Sequence, residues 1–243
     1  RMKKSILSII ILFPILIFAQ SAKRGIIVPI IDSLETSEKY CCILSPEDGF
    51  SVYDNPNGKV IGTLKRIGNI KKDDQVPYKI YLVTGKKIVK INNYQEISYE
   101  IYAINYTDSI QGFVKVLDAS KNYWLKVAEI TQKGFKTVNW FDHLINQSEH
   151  VLGYYAKEPG LRLRTEPNSN SEIIGSVRGD LFEIKLSKET IGQWCKVKII
   201  KYKEHPCNTE LTEEQNIEYK SEGWLKIVDD NGEPNLWNYT RGC

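Results

Sequence analysis

The feature that most constrains this chain is an internal repeat. Residues 49–66 read GFSVYDNPNGKVIGTLKR and residues 160–178 read GLRLRTEPNSNSEIIGSVR. Both open on glycine and then alternate, with Phe50 and Val52 in one and Leu161 and Leu163 in the other. Both turn at Pro-Asn (Pro56-Asn57, Pro167-Asn168) and run on into Val60-Ile61-Gly62 or Ile173-Ile174-Gly175. Upstream, Ile43 to Asp48 matches Tyr154 to Pro159; downstream, Gly112-Phe113-Val114-Lys115-Val116 is set against Gly223-Trp224-Leu225-Lys226-Ile227. Three separated blocks in the same order mark a duplication.

Each unit carries period-2 alternation, aromatic and β-branched residues, and Gly/Pro/Asn punctuation, the signature of antiparallel β-structure. The expected architecture is mainly β: two small β-domains, 40–130 and 151–243, each curled into a barrel that buries one face of its strands. Two insertions break the match, Ile67 to Ile97 and Lys201 to Glu222. Their unequal lengths mark surface loops or hairpins. Between the copies, linker 131–150 holds TVNWFDHLINQSEH. Asn139 and Asp142 form a capping-box-like pair, and Trp140, Phe141, Leu144 and Ile145 fall on one helical face. The spacing predicts a short amphipathic helix docked between the two domains.

The N-terminus reads MKKSILSIIILFPILIFAQ over residues 2–20. Two lysines, an apolar run from Ile6 to Phe18 and the small Ala19 have the order of a secretory signal, residues 1–19. The run is shorter than the ~20 residues a spanning helix needs. Export to the periplasm or outside the cell is the expectation, with no membrane span once the signal is removed. Without Arg1, Lys3 and Lys4 the formal charge of +3 falls to about zero. With no basic stripe, nucleic acid is not an expected partner. Export permits disulfides. Five cysteines follow, Cys41, Cys42, Cys195, Cys207 and Cys243, so at least one stays unpaired within the chain. A bridge between Cys207 and Cys243 is expected, tying the charged second insertion, 201–222, to the C-terminus. The rival is a free Cys207 on a mobile loop with Cys243 frayed, and a Cys195–Cys207 bridge would instead move the staple into the barrel.

The second copy resembles the bacterial SH3-like (SH3b) family. The matching residues are Leu161-Arg162-Leu163-Arg164, Pro167, Glu172-Ile173-Ile174-Gly175, Val177-Arg178-Gly179-Asp180, Gly192-Gln193-Trp194-Cys195-Lys196-Val197 and Gly223-Trp224-Leu225. The first copy is more divergent, with Tyr53 where Arg164 stands. The resemblance implies two small SH3-like β-barrels that act as binding modules outside the cytoplasm, on peptidoglycan peptides or envelope proteins. Tyr155, Arg162 and Arg164 are candidates for an exposed binding rim, since Arg pairs bidentately with carboxylates. Trp194 and Trp224 are further ligand-binding candidates, although core packing is the plainer role for both.

No H-E-x-x-H, G-x-S-x-G, P-loop or G-x-G-x-x-G motif occurs. His143 reads as a surface or interface residue, His205-Pro-Cys207 offers only two metal ligands, and Cys195 reads as a packed or disulfide-bonded sulfur rather than a nucleophile. Asp229-Asp230-Asn231-Gly232-Glu233 suits a type I′ hairpin turn better than a calcium loop. No catalytic group, metal or cofactor is expected. The expected function is non-enzymatic binding at the cell envelope; the alternative is an inhibitor or immunity-type protein that blocks an enzyme through its insertions.

Overall fold

The computed structural model describes residues 23–30, 48–66, 80–85, 87–91, 93–98, 101–116, 123–147 and 151–238. The signal-like segment, Cys41, Cys42, His150 and Cys243 lie outside them. The chain is mainly β, in two antiparallel sheets. The first holds β1 (Gly25–Pro29), β2 (Phe50–Tyr53), β3 (Val60–Arg66), β4 (Ile80–Thr84), β5 (Lys87–Ile91), β6 (Tyr94–Ser98), β7 (Ile101–Ile110), β8 (Phe113–Val116), β9 (Tyr123–Lys126) and β10 (Phe135–Asn139). The second holds β11 (Tyr154–Arg164), β12 (Ile173–Ile191), β13 (Trp194–Tyr202), β14 (Ile217–Lys226) and β15 (Leu236–Asn238).

The repeat is visible in the ladders. Phe50 faces Leu64, Ser51 Thr63, Val52 Gly62 and Tyr53 Val60. In the second copy Leu161 faces Val177, Arg162 Ser176, Leu163 Gly175 and Arg164 Ile173. Residue for residue this is one register, with the same irregularity before Tyr53 and before Arg164. The strand path β7-β8-β9-β2-β3 of the first sheet is the path β12-β13-β14-β11 of the second, where β12 also returns to pair with β11. In the second copy one long strand, β12, does the work of both β3 and β7. The first insertion separates those two strands and contributes β4, β5 and most of β6.

The ladders correct the downstream block of the repeat. β8 pairs with β9 through Phe113–Lys126, Val114–Leu125, Lys115–Trp124 and Val116–Tyr123. β13 pairs with β14 through Trp194–Lys226, Cys195–Leu225, Lys196–Trp224 and Val197–Gly223. The counterpart of Gly223-Trp224-Leu225-Lys226 is therefore Tyr123-Trp124-Leu125-Lys126, and Phe113 stands where Trp194 does. Phe113 to Val116 and Trp124 to Val127 both read aromatic, aliphatic, Lys, aliphatic, so the sequence pattern alone fits either one. Matching backbone bonds agree: Val127 N donates to Gly112 O (2.8 Å) and Ile227 N to Gln193 O (3.0 Å).

Three elements escape the sequence reading. β1 is buried along its whole length and lies between β10 and β7. Helix α1 (Val127–Gln132) follows β9 and buries Ile130. Helix α2 (Trp140–Gln147) is the expected linker helix. Asn139 Oδ1 accepts from Asp142 N (2.8 Å), and Asn139 Nδ2 donates to Asp142 Oδ2 (2.6 Å). β10, just ahead of it, makes part of the linker a strand of the first sheet.

Helix α2 joins the two copies through apolar burial. Trp140 and Leu144 share one core with Ile26, Val28 and Ala103 on one side and Tyr154, Ile184 and Leu236 on the other. Trp140 meets Trp237 edge-on at 5.6 Å between centroids, and Tyr154 Oη donates to Leu144 O (2.7 Å). A second core, around Phe50, Leu64, Leu82, Val116, Leu125 and Phe135, belongs to the first copy alone.

His143 is buried in this junction beside Trp140, not on the surface. Burial, and then Lys136, lowers its pKa from 6.5 to about 4. The folded state therefore holds the ring neutral where the unfolded chain would protonate it. Stability from this group is complete above about pH 6.5 and is lost as pH falls toward 4, by on the order of 3 kcal/mol. Urea midpoints measured from pH 7 to pH 4 should show the loss in the wild type and not in His143→Gln. Parallel slopes would contradict it.

The second insertion is ordered, although its composition could not bury enough apolar surface alone. Its end, residues 217–222, extends the β13–β14 ladder from Val197–Gly223 out to Tyr202–Ile217. At the tip, buried Asn216 clasps Glu204, accepting from its N (2.9 Å) and donating to its O (3.0 Å). Thr212 and Gln215 form a capping box on helix α3 (Glu213–Asn216). Cys207 is disulfide-bonded, and Cys195 is a free, buried thiol, which removes the Cys195–Cys207 alternative. The partner of Cys207 is outside the described residues. Non-reducing peptide mapping is expected to return a Cys207–Cys243 peptide; a Cys207 bridge to Cys41 or Cys42 would overturn this pairing.

Candidate functional site

Strand alternation decides which side chains can meet a ligand. In β13 and β14 the inward positions are Cys195, Val197 and Leu225, each at most 1% exposed. Trp194, Lys196, Trp224 and Lys226 lie on the other face and are half-buried. The tryptophans are therefore outward residues, not core ones as their plainer role would have it. Arg164 faces Trp224 in the β11–β14 pairing, and Trp224 faces Lys196 in the β14–β13 pairing. One row, Arg164–Trp224–Lys196, thus crosses three strands, and Trp194 sits in the adjacent row opposite Lys226.

The charges on this face are anchored. Arg164 Nη1 donates to Ser171 O (2.6 Å), which fixes the guanidinium over the β11–β12 turn. Lys196 Nζ lies 3.1 Å from Glu222 Oε1 and 3.5 Å from Glu189 Oε1. The hydrogen bond to Glu222, with Glu189 adding to it, holds its pKa above the ordinary lysine value. Lys226 Nζ reaches Asp230 Oδ1 at 2.5 Å. The result is a flat aromatic surface edged by paired charges, suited to stacking and to bidentate contacts with carboxylate or amide groups.

The first copy builds the same surface. Tyr53 faces Trp124, Trp124 faces Lys115, and Phe113 is opposite Lys126. Tyr53 and Phe113 stack edge-on at 5.4 Å, and Trp124 is 7% exposed. With Tyr53 in place of Arg164, this version is more closed and lacks the guanidinium. Sequence reasoning missed Phe113 and Trp124 because it had aligned the wrong strand of the pair.

The remaining sequence candidates lie apart. Arg162 is exposed on the same side of β11 as Arg164, opposite Ser176. Tyr155 is at the far end of β11, opposite Trp237, and burial raises its pKa. Lys157 covers the Trp237 ring at 5.3 Å. Tyr155 and Trp237 therefore belong with the α2 junction, not with the tryptophan face.

A cleft of about 750 Å³ opens between the copies beside Arg24, Asn139, Asp142, Gln193 and Asp230. Its polar groups are largely engaged. Arg24 pairs with Glu233, Asn139 with Asp142, Gln193 with Asp229 O, and Asp230 with Lys226. The Asp229–Glu233 turn is also satisfied internally, since Asp229 Oδ1 accepts from Asn231 N (2.8 Å) and Glu233 N (2.9 Å). Gly232 N donates to Asp229 O and Asp229 N to Glu233 O; the central residues Asp230 and Asn231 have no positive φ, and Gly232 after them has φ +82°. This is a type I turn with a glycine bulge rather than the expected type I′ turn. The Cys195 thiol, with its pKa pushed up to about 11 chiefly by burial, is a weak nucleophile at neutral pH. Among the described residues no cluster of three His, Cys, Asp or Glu could hold a metal ion, and no helix is long and apolar enough to cross a membrane.

No protein-family model, curated protein or solved structure matches this chain.

Proposed function

We propose that this chain is an exported, non-enzymatic binding protein built from two SH3b-like barrels, and that it recognises peptidoglycan peptide or an envelope protein. The observation that carries the reading is the repeated row of side chains: Arg164, Trp194, Trp224 and Lys196 face outward in one copy, and Tyr53, Phe113 and Lys115 surround a buried Trp124 in the other, in one register. Large half-exposed aromatics beside an anchored Arg are the residue types that dominate binding energetics. The signal-like segment supports export, and the low reactivity of Cys195 is consistent with a role in packing. The second copy is the principal binder, since its face is the more open and keeps the Arg.

The inhibitor reading keeps one observation in its favour. The second insertion is a stiffened projection held by Asn216, a capping box and the Cys207 disulfide, a shape suited to entering another protein's cleft. Co-purification from the native envelope with mass spectrometry separates the two. A muropeptide, or a protein lost on mutating the tryptophan face, supports the first. A stoichiometric enzyme held by the insertion tip supports the second.

A further inference from the structure

The two copies differ at one strand edge, and the difference shows what that edge accepts. In the first copy β3 pairs with β2 on one side and with β4 on the other: Thr63 faces Val83, Leu64 Leu82, Lys65 Tyr81 and Arg66 Ile80. Register equivalence puts Ser176, Val177 and Arg178 of β12 where Thr63, Leu64 and Lys65 stand. Among the described residues, positions 173–179 of β12 pair only with β11, and β13 joins β12 only from Phe182 onward. Among the described residues, no strand takes in the second copy the edge that β4 fills in the first.

The surroundings of this edge match the missing strand. A cavity of about 190 Å³ lies against it, lined by Leu163, Val177, Phe182, Ile199 and Tyr219. In the first copy the side chain opposite the counterpart of Val177 is Leu82, fully buried there. Ile173, Ile174 and Tyr219 are 49%, 43% and 43% exposed around the opening. β14 forms the other wall, its residues 217–223 paired only to β13. The glycines report the same contrast. A Cβ on Gly62 would strike Val83 O at 2.3 Å, whereas on Gly175, its counterpart, it would meet nothing closer than Leu163 at 3.8 Å.

We infer that the free edge of β12 at residues 176–178 is a strand-addition site, taking an extended protein segment in the place that β4 occupies in the first copy. The occupant runs antiparallel to β12, alternates apolar and polar residues, and sets a leucine-sized side chain opposite Val177. Main-chain hydrogen bonds hold it and the cavity selects it, as in other strand-addition complexes. An open apolar edge is otherwise an aggregation hazard that proteins cover or blunt. The inference rests on the binding-protein reading and narrows its partner to a polypeptide.

The test uses the full chain from residue 20 and a fluorescent peptide of residues 78–86, YKIYLVTGK. Saturable one-to-one binding is expected by anisotropy, with new hydrogen-exchange protection at 176–178. Gly175→Val should weaken binding at least tenfold while leaving the melting transition in place, because the Cβ has room in the free protein. Leu82→Asp in the peptide should abolish binding. No saturable binding, binding indifferent to Gly175→Val, or self-association of the chain through this edge would overturn the inference. Envelope retention that depends on Trp194 and Trp224 but not on Gly175 would leave the function standing and remove this site.

Discussion

Trp140→Ala is expected to destabilise the chain by about 3–5 kcal/mol, the usual cost of emptying a buried tryptophan site. The indole is 2% exposed and contacts residues contributed by both copies. Its loss should do more than lower one midpoint. The first copy has its own core around Phe50 and Phe135, so the two halves should uncouple and unfold in separate steps. Urea unfolding followed by near-ultraviolet dichroism and by hydrogen exchange checks both parts. A single transition displaced by less than about 1 kcal/mol would mean that α2 is a tether and not a joint.

Gly49→Ala and Gly160→Ala should be harmful to a similar degree. Gly49 has φ +80° and Gly160 φ +97°, a region that costs other residues about 1–3 kcal/mol. An added Cβ would also lie 2.6 Å from Leu64 O in the first copy and 2.7 Å from Val177 O in the second. These are equivalent atoms in the matched register, so the contact raises the cost in both places. Thermal melts of the two variants should show comparable losses. Tolerance at one position alone would mean that the copies no longer share their opening turn.

Much of the fold is legible in the sequence because the repeat is written in residues that have backbone jobs. Gly49 and Gly160, the Pro-Asn turns, and Gly62 and Gly175 mark the same ladder twice, and Asn139 with Asp142 marks the start of α2. The errors have physical causes. β8 and β9 carry nearly the same alternating pattern, so only hydrogen-bond partners distinguish Phe113 from Trp124 as the counterpart of Trp224. β1 is five apolar residues wedged between a signal-like run and the repeat, too short for periodicity to separate from its surroundings. The sequence left His143 between surface and interface, because burial of a histidine depends on what docks over the helix, which sequence distance hides.

The tryptophan face was half legible. Arg164 was named for its pairing chemistry and Trp194 and Trp224 as aromatics, yet the side of the sheet they occupy depends on strand parity. Cys195 and Leu225 took the inward places, which left the aromatics outside. Tyr155 was placed with them by its nearness in sequence to Arg162, but β11 is long enough to carry it to the opposite end.

The most direct measurement is retention of the chain from residue 20 on native envelope and on purified sacculi, for the wild type and for Trp194→Ala/Trp224→Ala. Both side chains are half-exposed, so the double variant should fold as the wild type does, by circular dichroism. Tryptophan hot spots cost about 2 kcal/mol or more each when truncated. Retention should therefore fall by at least an order of magnitude on whichever fraction holds the ligand. Wild-type retention by the double variant, or no retention of either protein on both fractions, would contradict the account.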